Sequence, residues 1–284
     1  MNRENVARRL FLSAAILSAS VTVLILGFMV VLALPLFKQG LFFEILSQPW
    51  LPDSSIFGIF PMIVGTASIA LLSLVFGFPL SLGVSALAST FAPTRIGFLL
   101  KKTVQMMTGI PTVIYGFVGV FLLVPIVREM FGGGSGMCIL AASAMLSVLI
   151  APTMILFFSE SFENVPKQHI DAVDALGGTP VQKFLYVILP GSWRGILTGV
   201  VLALGRAVGD TLIALMIAGN AVALPSSVLD SVRTLTSHIA LIIAADFDSL
   251  EFKTIFACGI LLYLLTTISV LVIRVLSSKT RGMP

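Results

Sequence analysis

The chain has 284 residues, 57% of them hydrophobic and 11% charged, with a mean hydropathy of +1.08. A soluble domain carries about a quarter charged residues, so 17 Lys+Arg and 13 Asp+Glu are too few to solvate a globule of this size. The apolar stretches are continuous and do not alternate with period two, which excludes a β-barrel and leaves an all-α polytopic membrane protein.

Six stretches are long enough to span. The first, residues 10–36, follows Arg3, Arg8 and Arg9. Its apolar run far exceeds the 7–15 residues of a signal-peptide core, so it reads as a retained anchor. An outer loop over 37–57 carries Pro49-Trp50-Leu51-Pro52, a rigid interfacial segment. The second span lies within 58–90 and the third near 103–127, with Pro61, Pro79 and Pro111 placed to bend helices or free carbonyls. Gly132-Gly133-Gly134-Ser135-Gly136 lacks the Lys-Ser/Thr of a phosphate loop and reads as a flexible outer turn. The fourth span, 137–159, contains Pro152. Cys138 and Cys258 form no disulfide framework or CxxC site and read as small buried hydrophobes.

The inner loop 160–193 is longer than a connection requires. Pro166 suits a helix start and Gly177-Gly178 a helix stop. Between them, Ile170 with Val173 and Ala172 with Leu176 give an amphipathic helix. A second short helix runs from Pro180 toward Ile188, closed by Pro190. A helix–Gly–helix hairpin of this kind is shaped to dock in a groove of another protein.

The fifth span, 195–222, holds Arg206 and Asp210, four residues apart on one helical face. A charge at that depth costs at least about 2.5–3.5 kcal/mol. The functional reading is a translocation path, in which Arg206 offers a forked donor to an oxyanion and Asp210 holds the fork. Thr211 and Thr198 would supply hydroxyls, although a Thr in a span commonly bonds to its own backbone. The alternative is a self-neutralising structural pair. A long outer loop, 223–253, carries Asp230, Asp246, Asp248 and Glu251; the sixth span is 254–276. His169 (inner) and His238 (outer) have no metal partner in prospect and read as solvated.

Assigning alternate loops to alternate sides puts twelve Lys/Arg on one face and four on the other, with Arg206 inside a span. The positive-inside rule then places both termini in the cytoplasm, as an even number of spans requires. The basic balance reflects topology, not nucleic-acid binding. The chain divides into an anchor and first outer loop (1–57), a transmembrane core (58–276) and a cytoplasmic tail (277–284).

Asp171-Ala172-Val173-x3-Gly177, nine residues, then Val187-x-Leu189-Pro190 resembles the EAA loop of ABC-importer permeases, E-A-A-x3-G-x9-I-x-L-P, with its spacing intact. The resemblance implies a MetI-like, type I permease fold. It also implies that Asp171, Ala172, Gly177, Leu189 and Pro190 belong to a loop that couples to an ATPase subunit. Phe57–Thr66, Gly109-Ile110-Pro111-Thr112-x2-Tyr115-Gly116 and Leu204-Gly205-Arg206-Ala207-Val208-Gly209-Asp210-Thr211 look like the phosphate-specific permeases, PstC-type more than PstA-type, which usually carry Glu at the place of Asp210.

The resemblance implies a permease subunit for inorganic phosphate in a bacterial or archaeal cytoplasmic membrane. Its partners would be an ABC ATPase dimer, a second homologous permease and an extracytoplasmic phosphate-binding protein. No cofactor or metal is expected, and no G-x4-G-K-[ST] is present for an ATP site of its own. The alternative within the class is another small solute, a different oxyanion or an amino acid. A channel or secondary transporter predicts inverted repeats and no coupling loop, and a bare anchor leaves Arg206 and Asp210 without a purpose.

Overall fold

A computed structural model describes residues 3–38 and 40–278; of the expected tail, 279–284 lie outside the described residues. Helix α1 (Arg3–Lys38) leads into a short α2 (Leu41–Ser47) and a two-stranded hairpin, β1 (Trp50–Leu51) with β2 (Ile56–Phe57). The first long core helix is α3 (Phe60–Ala86), and α4 (Thr94–Met107) follows it. The third crossing is built from α5 (Thr112–Val118) and α6 (Val124–Met130). The central helix is α7 (Ile139–Glu163), packed against α3 and against α11 (Trp193–Gly209). Among the described residues, five helices are long and apolar enough to cross a membrane; a bent pair, Pro180–Gly191 with Trp193–Gly209, makes a sixth crossing if taken as one span.

Helix α7 is the hub: Leu146, Leu149, Ile150, Met154 and Phe158 are all fully buried. Its contact with α11 is close because Gly199 presents no side chain. A Cβ there would stand 2.9 Å from the Phe158 ring and 3.0 Å from Phe157 Cβ. Small residues at such crossings are how membrane helices gain packing without a hydrophobic drive between them.

Three π-helical turns, Leu87–Phe91, Gly119–Leu123 and Phe184–Ile188, each end two residues before a proline: Pro93, Pro125 and Pro190. The proline ring collides with the carbonyl four residues back and donates no hydrogen bond. Widening the preceding turn by one residue relieves both problems while the chain stays helical. At Pro93 the helix instead ends, with Ala92 extended as a pre-proline residue prefers.

Four expectations from the sequence are corrected. The third crossing is 112–130, not 103–127: residues 94–107 form the separate amphipathic α4, and the break falls at Pro111. The second hairpin helix does not stop at Pro190. It passes through the π turn into α10 (Leu189–Gly191) and bends by 66° into α11. The fifth span is not one helix, since α11 ends at Gly209 and α12 (Leu212–Ile217) starts afresh.

The fourth correction concerns the third outer segment, which contains α13 (Leu235–Ile242), capped by Thr234 accepting from Ser237 N at 3.1 Å. There His238 is fully buried, not solvated. Its Nε2 is 3.1 Å from Thr254 Oγ1 on α14 (Leu250–Ser278), and its ring meets Trp50 edge-on at 4.5 Å. Leu235 and Ile242 present an apolar face at helical spacing that draws the segment, and its histidine, inward. Both cysteines are buried, as expected. The loop ahead of α13 is ordered by Asp230. Its Oδ2 accepts from the Ser226 and Ser227 amides and from Ser226 Oγ, bonds that lower its carboxyl below the usual value.

Candidate functional site

The break in the fifth crossing is built locally. Gly209 weakens the end of α11, and Asp210 is extended (φ −71°, ψ 131°). From there Asp210 Oδ2 accepts from Ile213 N at 2.9 Å, satisfying a donor that the new helix α12 leaves open. The Asp210 carbonyl accepts from Thr236 Oγ1 at 2.8 Å, tying the break to α13.

Arg206, on the last turn of α11, donates from Nη1 to Thr153 Oγ1 of α7 at 3.2 Å. Arg206 and Asp210 therefore do not form the expected helical ion pair. Among the described residues, the ion pairs are Lys101–Glu163 and Lys183–Asp174. Chain direction changes between the two residues, so the i,i+4 geometry is lost.

Arg206, Asp210 and Thr211 nevertheless line one cavity of about 320 Å³, together with Thr112, Leu149 and Leu212. The cavity combines a guanidinium, a carboxylate and hydroxyls against an apolar wall. The guanidinium and hydroxyls of that set can take a small polar anion, because guanidinium supplies paired donors. The Asp210 carboxylate opposes one and is partly taken up by the Ile213 amide. Thr198 is not part of it: its hydroxyl donates to Arg194 O at 2.9 Å, within its own helix.

Two residues of this arrangement are not evident from sequence. Thr112 stands in the quoted Pro-Thr-x-x-Tyr-Gly segment but carries no expected role there. Thr153 is separated from Arg206 by 53 residues, and only the packing of α7 on α11 joins them.

The inner loop forms two helices, α8 (Lys167–Ala175), entered from Pro166, and α9 (Pro180–Lys183). Gly177 adopts φ +74°, Gly178 N donates to Val173 O at 2.9 Å and Gly177 N to Asp174 O at 3.0 Å. These two bonds are the Schellman stop that the Gly-Gly pair implies. Thr179 and Gln182 then form a reciprocal capping box that starts α9. Lys183 Nζ reaches back to Asp174 Oδ2 at 2.7 Å, closing the hairpin across its turn.

Asp171, Ala172 and Gly177 are exposed on the hairpin, and Leu176 beside them is 88% exposed. Leu189 and Pro190 lie elsewhere. They occupy the arm leading to the 66° bend, where they line an apolar groove of about 730 Å³ with Phe78 and Trp193. The five loop residues thus divide into an exposed tip and a stem that lines the groove, Leu189 half-buried and Pro190 exposed. Among the described residues no cluster of His, Cys, Asp or Glu could hold a metal ion.

Residues 77–282 match the family described as binding-protein-dependent transport system inner membrane component. The chain belongs to this family. As a member of the binding-protein-dependent transport permeases it is a multi-pass membrane subunit of an ABC importer. A probable ABC transporter permease protein, YqgH of Bacillus subtilis, is 32% identical over 238 residues, covering 83% of this chain and 77% of that protein. The phosphate transport system permease protein PstC of Pasteurella multocida is 28% identical over 249 residues, covering 80% and 77%.

Solved structures share the permease fold at lower identity. A bacterial alginate ABC transporter, in complex with its alginate pentasaccharide-bound periplasmic protein, gives a TM-score of 0.66 at 16% identity, covering 99% of this chain and 98% of that one. An inward-facing MetNI methionine ABC transporter gives 0.57 at 20% identity, covering 77% and 97%. The resemblance to ABC-importer permeases, MetI-like in fold and PstC-type in sequence, is borne out.

Proposed function

We propose that this permease forms half of the membrane path for inorganic phosphate, with Arg206, Asp210 and Thr211 as the polar station on that path. The observation that carries the reading is the meeting of all three in one cavity at a break between two helices. The cavity's guanidinium is held by a neutral hydroxyl, so its charge is available to an anion. Similarity to PstC proteins supports phosphate over other oxyanions. In this reading a second homologous permease completes the path and an extracytoplasmic phosphate-binding protein delivers substrate. An ATPase dimer receives the 160–193 hairpin, with Asp171, Ala172 and Gly177 at its tip and Leu189 and Pro190 on its stem.

The test is uptake by proteoliposomes holding the complete complex and its binding protein. ATP-dependent accumulation of radiolabelled phosphate is expected; accumulation of methionine or sulfate with none of phosphate overturns the substrate. Orientation has a separate check. Cysteines replacing Ser135 and Ser249 should react with an impermeant external reagent, whereas one replacing Ser278 should not. The reverse pattern would put the termini outside.

A further inference from the structure

We infer that Thr153 is the positioning residue for Arg206, fixing the guanidinium by a neutral acceptor in place of the carboxylate nearby; this rests on reading the cavity as the transport path. The helix that carries it is the most enclosed of the crossings: 72% of its apolar window is buried, against 33% or less for the other single-helix spans. Ala151 and Met154 on either side of the Pro152-Thr153 step are 3% and 0% exposed. Thr153 is therefore anchored on the most tightly packed element of the bundle.

Its bonding departs from that of Thr103 and Thr198 and is closer to that of Thr66, which accepts from Leu235 N across elements at 2.9 Å. A Thr hydroxyl within a helix ordinarily donates to the carbonyl four residues back. Thr66 does so to Met62 O at 2.8 Å, Thr103 to Leu99 O at 3.0 Å and Thr198 to Arg194 O at 2.9 Å. Thr153 Oγ1 faces across the helix interface and accepts from a charged donor, Arg206 Nη1.

The choice of acceptor has a chemical consequence. A carboxylate holding the fork would neutralise the charge and occupy two donors at once. A hydroxyl takes one of the five N–H donors and no charge. Arg206 lines the cavity with its remaining donors not taken up by a carboxylate, while Asp210 is engaged by the Ile213 amide and fixes the wall. Thr153 thus sets the direction of the guanidinium without reducing its affinity for an anion.

The experiment compares Thr153→Val, which keeps the shape and removes the acceptor, with Thr153→Ser, which keeps the acceptor. Radiolabelled phosphate uptake is measured per assembled complex, with the binding protein saturating. Thr153→Val should lower uptake about tenfold, the loss of one bond to a charged group, and Thr153→Ser should restore most of it. In an Arg206→Gln background, Thr153→Val should change the residual uptake by less than about twofold, since there is no guanidinium left to place.

Equal losses in the Val and Ser variants, or a tenfold further loss without Arg206, would show a packing role and overturn the inference. Should Thr153→Val assemble poorly, Thr153→Ala carries the same comparison. Wild-type uptake by Thr153→Val beside a strong defect in Arg206→Gln sinks only this inference. Wild-type uptake by Arg206→Gln sinks the path assignment itself, and the inference with it.

Discussion

Arg206→Gln is expected to cut phosphate uptake about 10- to 100-fold per assembled complex, because each bond between a guanidinium and an anion is worth about 1.5–3 kcal/mol. Arg206→Lys should recover little. An ammonium is a point charge without the planar fork, and it cannot both reach Thr153 and present paired donors to the cavity. Because Arg206 and Asp210 are not in ionic contact, neither single change strands a buried partner from a broken pair. The double variant Arg206→Gln with Asp210→Asn should therefore remain as inactive as Arg206→Gln alone. Asn at 210 can still accept from Ile213 N and so preserves the start of α12, whereas Asp210→Ala should cost about 0.5–2 kcal/mol of stability through the lost cap. Radiolabelled uptake normalised to assembled complex is the deciding measurement. Recovery of uptake in the double variant would mean that the two charges serve only to neutralise each other.

The parts of this site that are legible in the sequence are those set by neighbours along the chain. Gly177-Gly178 reveals its own geometry, since a left-handed stop needs glycine and the two stop bonds run to residues 173 and 174. The cavity's charged members are legible too, because an arginine and an aspartate amid apolar residues stand out against the cost of inserting them. What cannot be read is where the apolar runs break. Residues 195–222 look like one span by hydropathy, yet the helix stops at Gly209 because Asp210 can cap α12 and bond Thr236 of a distant segment. The burial of His238 is hidden for the same reason. Its surroundings are too short to span, and only the tertiary pocket formed by Trp50 and Thr254 offsets the cost of burying it. Thr153 gives no signal at all along the chain, because its partner lies on another helix.

Gly177→Val is expected to separate ATP hydrolysis from transport. At φ +74° an L-residue is disfavoured by about 1–2 kcal/mol, and a β-branched one by more. The space around Gly177 is open, with nothing within 4 Å of where a Cβ would stand, so the substitution acts through backbone strain and not through a clash. Relief of that strain must come from unwinding the stop, which loses the Gly177–Asp174 and Gly178–Val173 bonds and swings α8 relative to α9. The Lys183–Asp174 bond across the turn, an exposed contact, is too weak to hold the two helices in register alone. The membrane core is untouched by this change, so the complex should assemble and hydrolyse ATP while uptake per ATP falls several-fold. Gly177→Asn is the control: Asn tolerates the left-handed region and should transport close to wild type. Gly178→Ala is expected to resemble the Val variant by a different route, since its Cβ would lie 2.4 Å from Val173 Cγ1 and 3.1 Å from the Val173 carbonyl oxygen. Two unlike insults at adjacent residues that uncouple alike, beside a tolerated Asn, would point to the turn geometry itself; normal transport by Gly177→Val would remove the stop from the coupling mechanism.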